Sequence, residues 1–209
     1  MTQQACVISH LSVELPTKTL FHDLDFSLFA QQKSALIGRN GQGKSVMMQI
    51  LHQQPNHLPF VGQILWQMPH AYLKQLHRLD VQTIAEALDV EQYHQTFKRI
   101  EQGTATFDDY ERAENFWHLP QLWLMQLQQA NLPTDLDFPV MLLSEGQKTK
   151  LALCRLFLLK DHYLLLDEPS NHLDSESRSW LISCLNQHSS GALIISHDRR
   201  LLDEMQHIY

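Results

Sequence analysis

The sequence predicts an α/β fold whose parallel sheet carries the functional site at the carboxyl ends of its strands. One apolar strand runs into a glycine-rich loop that a helix pattern follows, and a second apolar strand ends in two adjacent carboxylates. Strand and helix patterns also alternate through this part of the chain, which is typical of a parallel sheet with crossover helices. Ligands of such sheets bind where the strands end, so we expect the loop and the carboxylates to share one site.

The glycine-rich loop spans Gly38 to Ser45 and follows the short apolar run Ser34 to Ile37. Its letters, GRNGQGKS, fit the pattern G-x-x-x-x-G-K-[ST], in which glycines let successive backbone N–H groups turn toward phosphate oxygens. The N-terminus of the following helix adds partial positive charge. An ordinary glycine turn is the alternative, but the flanking strand and helix and the acidic strand favour a phosphate site. The expected phosphate-binding residues are Gly38, Asn40, Gly41, Gly43, Lys44 and Ser45.

The acidic strand lies in the segment Leu164 to Asp174, which has the sequence LLLDEPSNHLD. Two neighbouring acids at the end of a buried strand suit metal-assisted hydrolysis of a phosphate. Asp167 is expected to orient Mg²⁺, with the Ser45 hydroxyl as a further ligand, and Glu168 is expected to polarise a water for attack. The loop and this segment therefore predict one phosphate-hydrolysing site.

The remaining strand and helix patterns of the amino-terminal part follow in order. Residues 6–29 carry strand patterns, most clearly in the apolar and polar alternation Leu24-Asp25-Phe26-Ser27-Leu28. A helix is predicted from Lys44 to about Gln53, before two prolines. Two further short strands are predicted over 62–66 and 71–73.

Helix patterns dominate the middle of the chain. Thr83 and Glu86 form a T-x-x-E capping box at the start of one of them. Another pattern is predicted to continue until Pro120, and we interpret its apolar stripe as part of the core. The members of that stripe are Phe107, Tyr110, Ala113 and Trp117.

A second capping box, Ser144-Glu145-Gly146-Gln147, opens a helix with an apolar body from Leu151 to Leu156. Two interpretations of the box stay open: a helix cap and nothing more, or a helix N-terminus that also binds an anion. The strand predicted over 162–167 then delivers the acidic pair. A last strand over 192–195 ends at Ser196-His197-Asp198.

Composition limits the classes of protein to which the chain can belong. Asp and Glu number 23 against 16 Lys and Arg in 209 residues, so the chain lacks the overall basic charge typical of nucleic-acid binding, although a local basic face stays compatible with it. Three scattered cysteines predict neither a disulfide framework nor a zinc pair. No apolar run approaches the length of a membrane helix. We therefore expect a cytoplasmic protein.

Taken in order, the glycine-rich loop, the Leu143–Gln147 segment, LLLDEPSNHLD and His197 resemble the motifs of ATP-binding cassette (ABC) ATPases. Glu168 to Asp174 is similar to the E-P-T-N-H-L-D of the ABC-F branch, soluble cassettes without membrane domains, with Ser170 in place of Thr. The resemblance implies a P-loop NTPase fold of the ABC type, with an antiparallel β region and a helical subdomain. It also implies one cassette over 1–209, with the helical subdomain inserted at about 80–142.

The resemblance implies roles for the hydrolytic residues. Glu168 would be the general base or water-positioning residue, and His197 would be the switch histidine that contacts the γ-phosphate of ATP. Gln75 is similar to the glutamine that senses both metal and water in the family. Gln67 competes for that assignment, and Gln75 is preferred because Tyr72-Leu73 precedes it as in the family pattern.

The resemblance also implies a partner. In such cassettes the segment equivalent to Leu143–Gln147 packs against ATP held by a second cassette, so Ser144, Gly146 and Gln147 would contact a partner's nucleotide. Asp174 would communicate across the same interface. The second cassette would lie in the same full-length chain or in a homodimer, and one cassette alone should hydrolyse ATP poorly. We expect the chain to be an N-terminal cassette truncated at its C-terminus.

Three departures from the family pattern stand out. No aromatic residue near Ser12 to Leu15 is available to stack on adenine. Glu145 replaces a glycine of the usual L-S-G-G-Q and brings a carboxylate near a partner's γ-phosphate. The stretch between Gln75 and Leu143 is short for the projecting arm that many ABC-F proteins use on the ribosome.

The leading functional hypothesis is an ABC-F-type ATPase that binds Mg-ATP and switches an assembly, with the translating ribosome as the expected target. The first alternative is the ATP-binding subunit of an ABC membrane transporter, against which stands Asn171-His172, where transporter cassettes usually carry small residues. A second alternative is a binding module in which ATP acts as structural glue. Glu168 argues against that module, whereas the missing aromatic residue and Glu145 keep it open.

Overall fold

The computed structural model describes residues 3–15, 18–53, 58–74 and 81–209. The chain divides into two compact units, which are described separately. The first unit comprises residues up to 77 together with 156–171 and 181–209, and the second comprises 78–155 and 172–180.

The strands, in chain order, are β1 (Gln4–Leu15), β2 (Lys18–Phe29), β3 (Lys33–Ala35), β4 (Val61–Trp66), β5 (His70–Leu73), β6 (Tyr163–Asp167), β7 (Ala192–Ile195) and β8 (His207–Ile208). The α-helices are α1 (Lys44–Leu51), α2 (Ile84–Ala87), α3 (Glu91–Glu101), α4 (Phe107–Ala113), α5 (Leu119–Gln129), α6 (Glu145–Leu158), α7 (Ser175–Gln187) and α8 (Arg199–Asp203). A 3₁₀ turn covers Val140–Leu142.

Two sheets of the first unit enclose its core. An antiparallel sheet has the order β2-β1-β4, and a second sheet has the order β5-β6-β7-β3-β8 with parallel pairing. The alternation predicted over Leu24 to Leu28 lies within β2. The core packs apolar side chains of both sheets with those of α1, including Ile8, Leu28, Met48, Leu165 and Leu193. The predicted α/β fold class is confirmed.

The parallel sheet explains the apolar runs of the sequence and positions the site. Every residue of β6 and β7 is buried, as expected for strands covered on both faces. The predicted strand into the glycine-rich loop is shorter in its regular part, which ends at Ala35, but the ladder continues. Leu36 donates from its backbone N–H to the carbonyl of Ile194 at 2.9 Å, and Ile37 donates to that of Tyr209 at 3.0 Å.

The second unit consists of short helices, and it corrects two predictions. Pro120 does not end a helix: α4 stops at Ala113, and α5 begins at Leu119 with the proline in its first turn, where a missing N–H costs nothing. The predicted apolar stripe is core at one position only. Ala113 is buried as predicted, whereas Phe107, Tyr110 and Trp117 are 76%, 48% and 53% exposed, because helical spacing identifies a face but not what covers it. Thr83 caps α2 as predicted, accepting from the N–H of Glu86 at 3.2 Å.

None of the helices in the described part of the chain combines the length and the apolar character that crossing a membrane requires.

Buried and partly buried histidines of the first unit should make its stability depend on pH. Burial lowers the pKa of His52, His70 and His188. A histidine with a lowered pKa stays neutral in the folded chain while the unfolded chain takes up a proton, so these groups cost no stability above pH of about 6.5 and reduce it as the pH falls below that value. We therefore expect the urea concentration at the midpoint of unfolding to be lower at pH 5.5 than at pH 7.5.

An exposed histidine supplies the control with the opposite sign. A hydrogen bond to Asp23 raises the pKa of His10, so its contribution to stability is present at low pH and is lost as the pH rises through its folded value. His70→Phe, which keeps a ring to stack on Trp66, should flatten the pH profile of the urea midpoint, and His10→Asn should steepen it. An unchanged profile in His70→Phe would contradict the assignment.

Candidate functional site

The glycine-rich loop takes a conformation that its glycines permit. Gly41 and Gly43 have φ angles of +77° and +93°, in the region that side chains disfavour. A Cβ atom on Gly43 would lie 2.9 Å from the ring of Phe21 and 3.3 Å from a methyl of Leu20. The loop is therefore packed directly onto β2, and a residue with a side chain at position 43 would disturb both backbone and packing.

Two lysine side chains hold the backbone carbonyls of this loop. The Nζ atom of Lys44, the first residue of α1, donates to the carbonyl oxygens of Gly38 at 2.8 Å and Arg39 at 3.1 Å. The Nζ atom of Lys18 in β2 donates to the carbonyl oxygen of Gly41 at 2.7 Å. Both ammonium groups add positive charge to a loop that already presents glycine N–H groups, which is the electrostatic character an anion requires.

The carboxylate of Asp167 ends β6 in an environment that suits a divalent cation. Asp167 is 1% exposed, and its Oδ1 atom has no hydrogen-bond partner among the described residues. Its Oδ2 atom lies 3.5 Å from the Tyr72 hydroxyl. Burial raises the pKa of Asp167, and hydrogen bonding from the Ser45 hydroxyl opposes the shift. A buried carboxylate oxygen without a partner, next to a serine hydroxyl, provides the hard oxygen donors that Mg²⁺ prefers, so these residues fit the predicted metal.

Glu168 leaves the strand with an unusual backbone. Its φ angle is +52°, a left-handed conformation that costs a residue with a side chain on the order of 1 kcal/mol, while its N–H still donates to the carbonyl of Ile195 at 2.9 Å. The side chain is only 10% exposed, and burial raises its pKa, an effect that the charge of His197 opposes. A carboxylate with a raised pKa is the form in which an acid can act as a base near neutral pH.

His197 links the acid to the loop. Its Nε2 atom lies 3.4 Å from Oε1 of Glu168 and 3.1 Å from Oδ1 of Asn40, and its side chain is 61% exposed. Ring nitrogen, loop amide and carboxylate thus meet at one point, although Asn40 and His197 are 157 residues apart in sequence. The parallel pairing of β3 with β7 brings them together.

These residues border one cavity of about 530 Å³ in the first unit. Most predicted site residues of that unit line it; Gly38 does not, but its carbonyl accepts from Lys44. Sequence reasoning missed the contributions of Leu15, Lys18, Leu20 and Asn171. The first three belong to no motif, and Asn171 lies within LLLDEPSNHLD but is assigned no ligand contact there. The lining residues are Leu15, Lys18, Leu20, Asn40, Gly41, Gly43, Lys44, Ser45, Val46, Asp167, Glu168, Asn171, Ile195 and His197.

The glutamine assignment stays a prediction. Gln75 lies outside the described residues, so its contacts are not part of the site's geometry. The competitor Gln67 follows β4, is exposed, and donates from its backbone to the carbonyl of Ala5 at 2.8 Å. It is not among the residues that line the cavity.

The second unit contains the Ser144–Gln147 box, and the predicted cap is confirmed. The N–H of Gln147 donates to Oγ of Ser144 at 3.2 Å, and the N–H of Ser144 donates to Oε1 of Gln147 at 2.9 Å. Glu145 pairs with Lys148 at 2.8 Å, and this contact lowers the pKa of Glu145. Part of the negative charge at the start of α6 is therefore balanced within the same helix.

Gly146 is required by close packing. A Cβ atom at this position would lie 2.7 Å from the backbone carbonyl oxygen of His172, a residue that itself has a φ angle of +63°. A backbone oxygen cannot rotate away as a flexible side chain can. The start of α6 and the loop before α7 consequently touch at a position where only glycine fits.

We expect Gly146→Ala to lower the free energy of unfolding by about 1–3 kcal/mol, because the methyl forces the two backbones apart. The neighbouring change Glu145→Ala removes an exposed ion pair and should cost no more than about 1 kcal/mol. Urea denaturation of the two variants beside the parent chain measures both values. If Gly146→Ala were as stable as the parent chain, the His172 backbone would have to move away from the added methyl at no cost, which would contradict the prediction.

Comparison with known proteins gives consistent matches. The family model described as "ABC transporter" matches residues 21–171. The chain is 31% identical over 212 residues to the energy-dependent translational throttle protein EttA of Haemophilus influenzae, covering 91% of this chain and 38% of that protein. It is 29% identical over 190 residues to ABC transporter F family member 2 of Dictyostelium discoideum, covering 89% of this chain and 28% of that protein.

A solved structure shares the fold. A metal-chelate type ABC transporter in an inward-facing conformation superposes with a TM-score of 0.68 at 20% identity, covering 96% of this chain and 76% of that one. The chain spans about two fifths of the length of the curated EttA relatives it matches.

Proposed function

Because this chain belongs to the ABC transporter family of ATP-binding cassettes, as an ABC-F-like ATPase cassette, we propose that it couples Mg-ATP binding and hydrolysis to a conformational switch in translation. Cassettes of this family bind and hydrolyse ATP and work in pairs. The assembly that is switched, the metal and the role of each residue belong to the proposal.

One observation carries the hydrolytic part of the proposal: three separate segments converge on one cavity with complementary chemistry. The loop before α1 brings ammonium and N–H groups, the end of β6 brings the buried carboxylate of Asp167 and the largely buried carboxylate of Glu168, and β7 leads to an imidazole. Positive charge beside a poised carboxylate suits phosphoryl transfer to water, in which positioning and charge stabilisation account for most of the rate.

Each group then has a chemical task. The loop and Lys44 would hold the triphosphate, while Ser45 and Asp167 would hold Mg²⁺, which when bound supplies charge that offsets the negative phosphate oxygens. Glu168 would orient the attacking water and accept its proton, for which its raised pKa is suited. His197, fixed between Glu168 and Asn40, would donate to the γ-phosphate.

The second unit would serve the nucleotide of another cassette. Ser144, Gly146 and Gln147 sit at the N-terminus of α6, where the helix dipole favours an anion. The pairing of Glu145 with Lys148 reduces the repulsion that a carboxylate here would exert on phosphate. Asp174, whose side chain accepts from the N–H of Ser177 at 2.8 Å, would report on the same interface.

The link to translation is supported by the relatives' names and by sequence. EttA is described as an energy-dependent translational throttle protein, and Asn171-His172-Leu173-Asp174 is similar to the branch motif. The net charge of −7 makes a broad contact with RNA unfavourable. We therefore place contacts with the ribosome on local surfaces, including protein surfaces.

Sedimentation through a sucrose cushion tests the switch. The Glu168→Gln chain should pellet with ribosomes in the presence of Mg-ATP and remain in the supernatant without nucleotide, and Lys44→Ala should not pellet under either condition. Recovery with membranes in place of ribosomes would favour the subunit of a transporter.

Measuring ATPase activity against protein concentration tests pairing, since a rate per molecule that does not rise with concentration would argue against self-pairing.

A further inference from the structure

Tyr72 is a polar residue that the hydrolytic proposal does not use. It lies on β5, where parallel pairing sets it opposite Leu165 of β6, two residues before Asp167. Alternate residues of a strand project to the same face of a sheet, so the side chains of Tyr72, Leu165 and Asp167 share one face. Leu165 and Met48 of α1 belong to one core cluster, against which Tyr72 packs, so this face is the one that α1 covers.

The two carboxylate oxygens of Asp167 have different surroundings. Oδ2 accepts a hydrogen bond from the Tyr72 hydroxyl at 3.5 Å, whereas Oδ1 has no partner among the described residues. A carboxylate only accepts, so the tyrosine hydroxyl is the donor. The last torsion of an aspartate side chain has broad energy wells, and a hydrogen bond to one oxygen therefore limits where the other oxygen can point. The contact leaves Oδ1 as the oxygen that is available to a ligand.

Tyr72 is itself held against α1. The centroid of its ring lies 5.4 Å from that of His52, the residue at the C-terminal cap of this helix. The side chain of Gln49 interacts with its hydroxyl. Gln49 follows Ser45 by four residues, so the two side chains lie on the same face of the helix. The helix consequently acts on Asp167 directly through Ser45 and indirectly through Tyr72.

Carboxylates that bind a metal are usually held by further hydrogen bonds, and these partners set the orientation of the ligand without touching the metal. Tyr72 meets that description, because it contacts Asp167 but is not among the residues that line the cavity. The carboxylate is 1% exposed, so little solvent is available to orient it instead.

Resting on the proposed function, we infer that Tyr72 is a positioning residue for the divalent cation of this site. Its hydroxyl holds the Asp167 carboxylate so that Oδ1 stays free for Mg²⁺, with the hydroxyl of Ser45 as a further ligand. Tyr72 acts on the metal only through Asp167.

Tyr72→Phe removes the hydroxyl and keeps the ring. We expect the dissociation constant for Mn²⁺ to rise about 10-fold, at the lower end of the range typical of such partners, because the 3.5 Å contact is long. Mn²⁺ takes the same oxygen ligands as Mg²⁺ and is paramagnetic, so electron spin resonance measures the free ion during a titration. The chain is kept in excess over AMP-PNP, an analogue that is not hydrolysed, so that all of the nucleotide is bound.

The affinity for AMP-PNP in EDTA separates an effect on the metal from a general defect. The parent and Tyr72→Phe should agree there within about two-fold, because the hydroxyl does not reach the phosphates. In ATP hydrolysis the variant should need about 10-fold more Mg²⁺ for its half-maximal rate, while kcat at saturating Mg²⁺ stays within about three-fold of the parent value.

Tyr209→Phe is the matched control. It removes another hydrogen-bonded tyrosine hydroxyl of the first unit, which donates to the carbonyl of Ser27 and does not line the cavity. Its Mn²⁺ constant should equal that of the parent, even where its melting temperature falls.

An unchanged Mn²⁺ constant in Tyr72→Phe, beside a parent that binds both metal and nucleotide, would overturn the inference and leave the proposed function intact. An equal loss of AMP-PNP affinity in EDTA would identify Tyr72 as only structural and would overturn it as well. A parent chain that binds neither AMP-PNP nor Mn²⁺ would instead count against the proposed function.

Discussion

Glu168→Gln is expected to reduce ATP turnover by about 10²- to 10⁴-fold while leaving the affinity for Mg-ATP within about three-fold of the parent value. The amide keeps the size of the side chain and its place beside His197, but it cannot accept a proton from water. Because the loss falls on the chemical step, it should appear in kcat and leave KM nearly unchanged.

Single-turnover hydrolysis and calorimetric titration, measured on the same preparations, separate the two effects. Glu114→Gln is a suitable control, since this exposed glutamate follows α4 in the second unit and should hydrolyse ATP as the parent does. Turnover of Glu168→Gln within a few-fold of the parent would exclude Glu168 as the base. In a cassette that retains its partner, the variant should also accumulate the closed, ATP-bound pair.

Lys44→Ala should weaken nucleotide binding by at least about 100-fold, the largest effect on affinity that we expect from any single change in the chain. The substitution removes a cation that would face the phosphates, and it also releases the carbonyls of Gly38 and Arg39 that the ammonium now holds. Both losses act on binding, so raising the ATP concentration should recover part of the activity.

Titration calorimetry with Mg-ATP measures this loss. The control is Lys160→Ala, which removes the same positive charge at an exposed position that does not line the cavity. Retention of parent affinity by Lys44→Ala would disprove the phosphate-loop assignment. A lower melting temperature without loss of affinity would identify a lysine that is only structural.

Local patterns were enough to predict the parallel sheet and the segments that meet at its edge. A buried strand such as β6 is almost uniformly apolar, and the polar residues that follow it stand out against that background. The phosphate-loop motif contains glycines because its backbone adopts conformations that other residues disfavour, as the φ angles of Gly41 and Gly43 show. Features of this kind are recorded in a few consecutive residues, and so they can be recognised in one sequence.

Contacts between distant segments could not be predicted in the same way. The hydrogen bond between Asn40 and His197 depends on which strands are neighbours in the sheet. No local sequence pattern predicts the order β6-β7-β3. Lys18 reaches Gly41 across 23 residues for the same reason. The exposed Phe107 shows the converse error, since a periodic apolar face says nothing about whether a neighbour covers it.

The contact between Gly146 and the His172 carbonyl makes the start of α6 and the loop before α7 mechanically stiff with respect to each other. No side chain at position 146 separates the two backbones, so a displacement of one of them by a fraction of an ångström should also displace the other. Under the proposed pairing, a partner that displaces the backbone at Asp174 would also displace the amino end of α6. The start of α6 and the loop before α7 would then move together, and no side chain between them would have to change its rotamer.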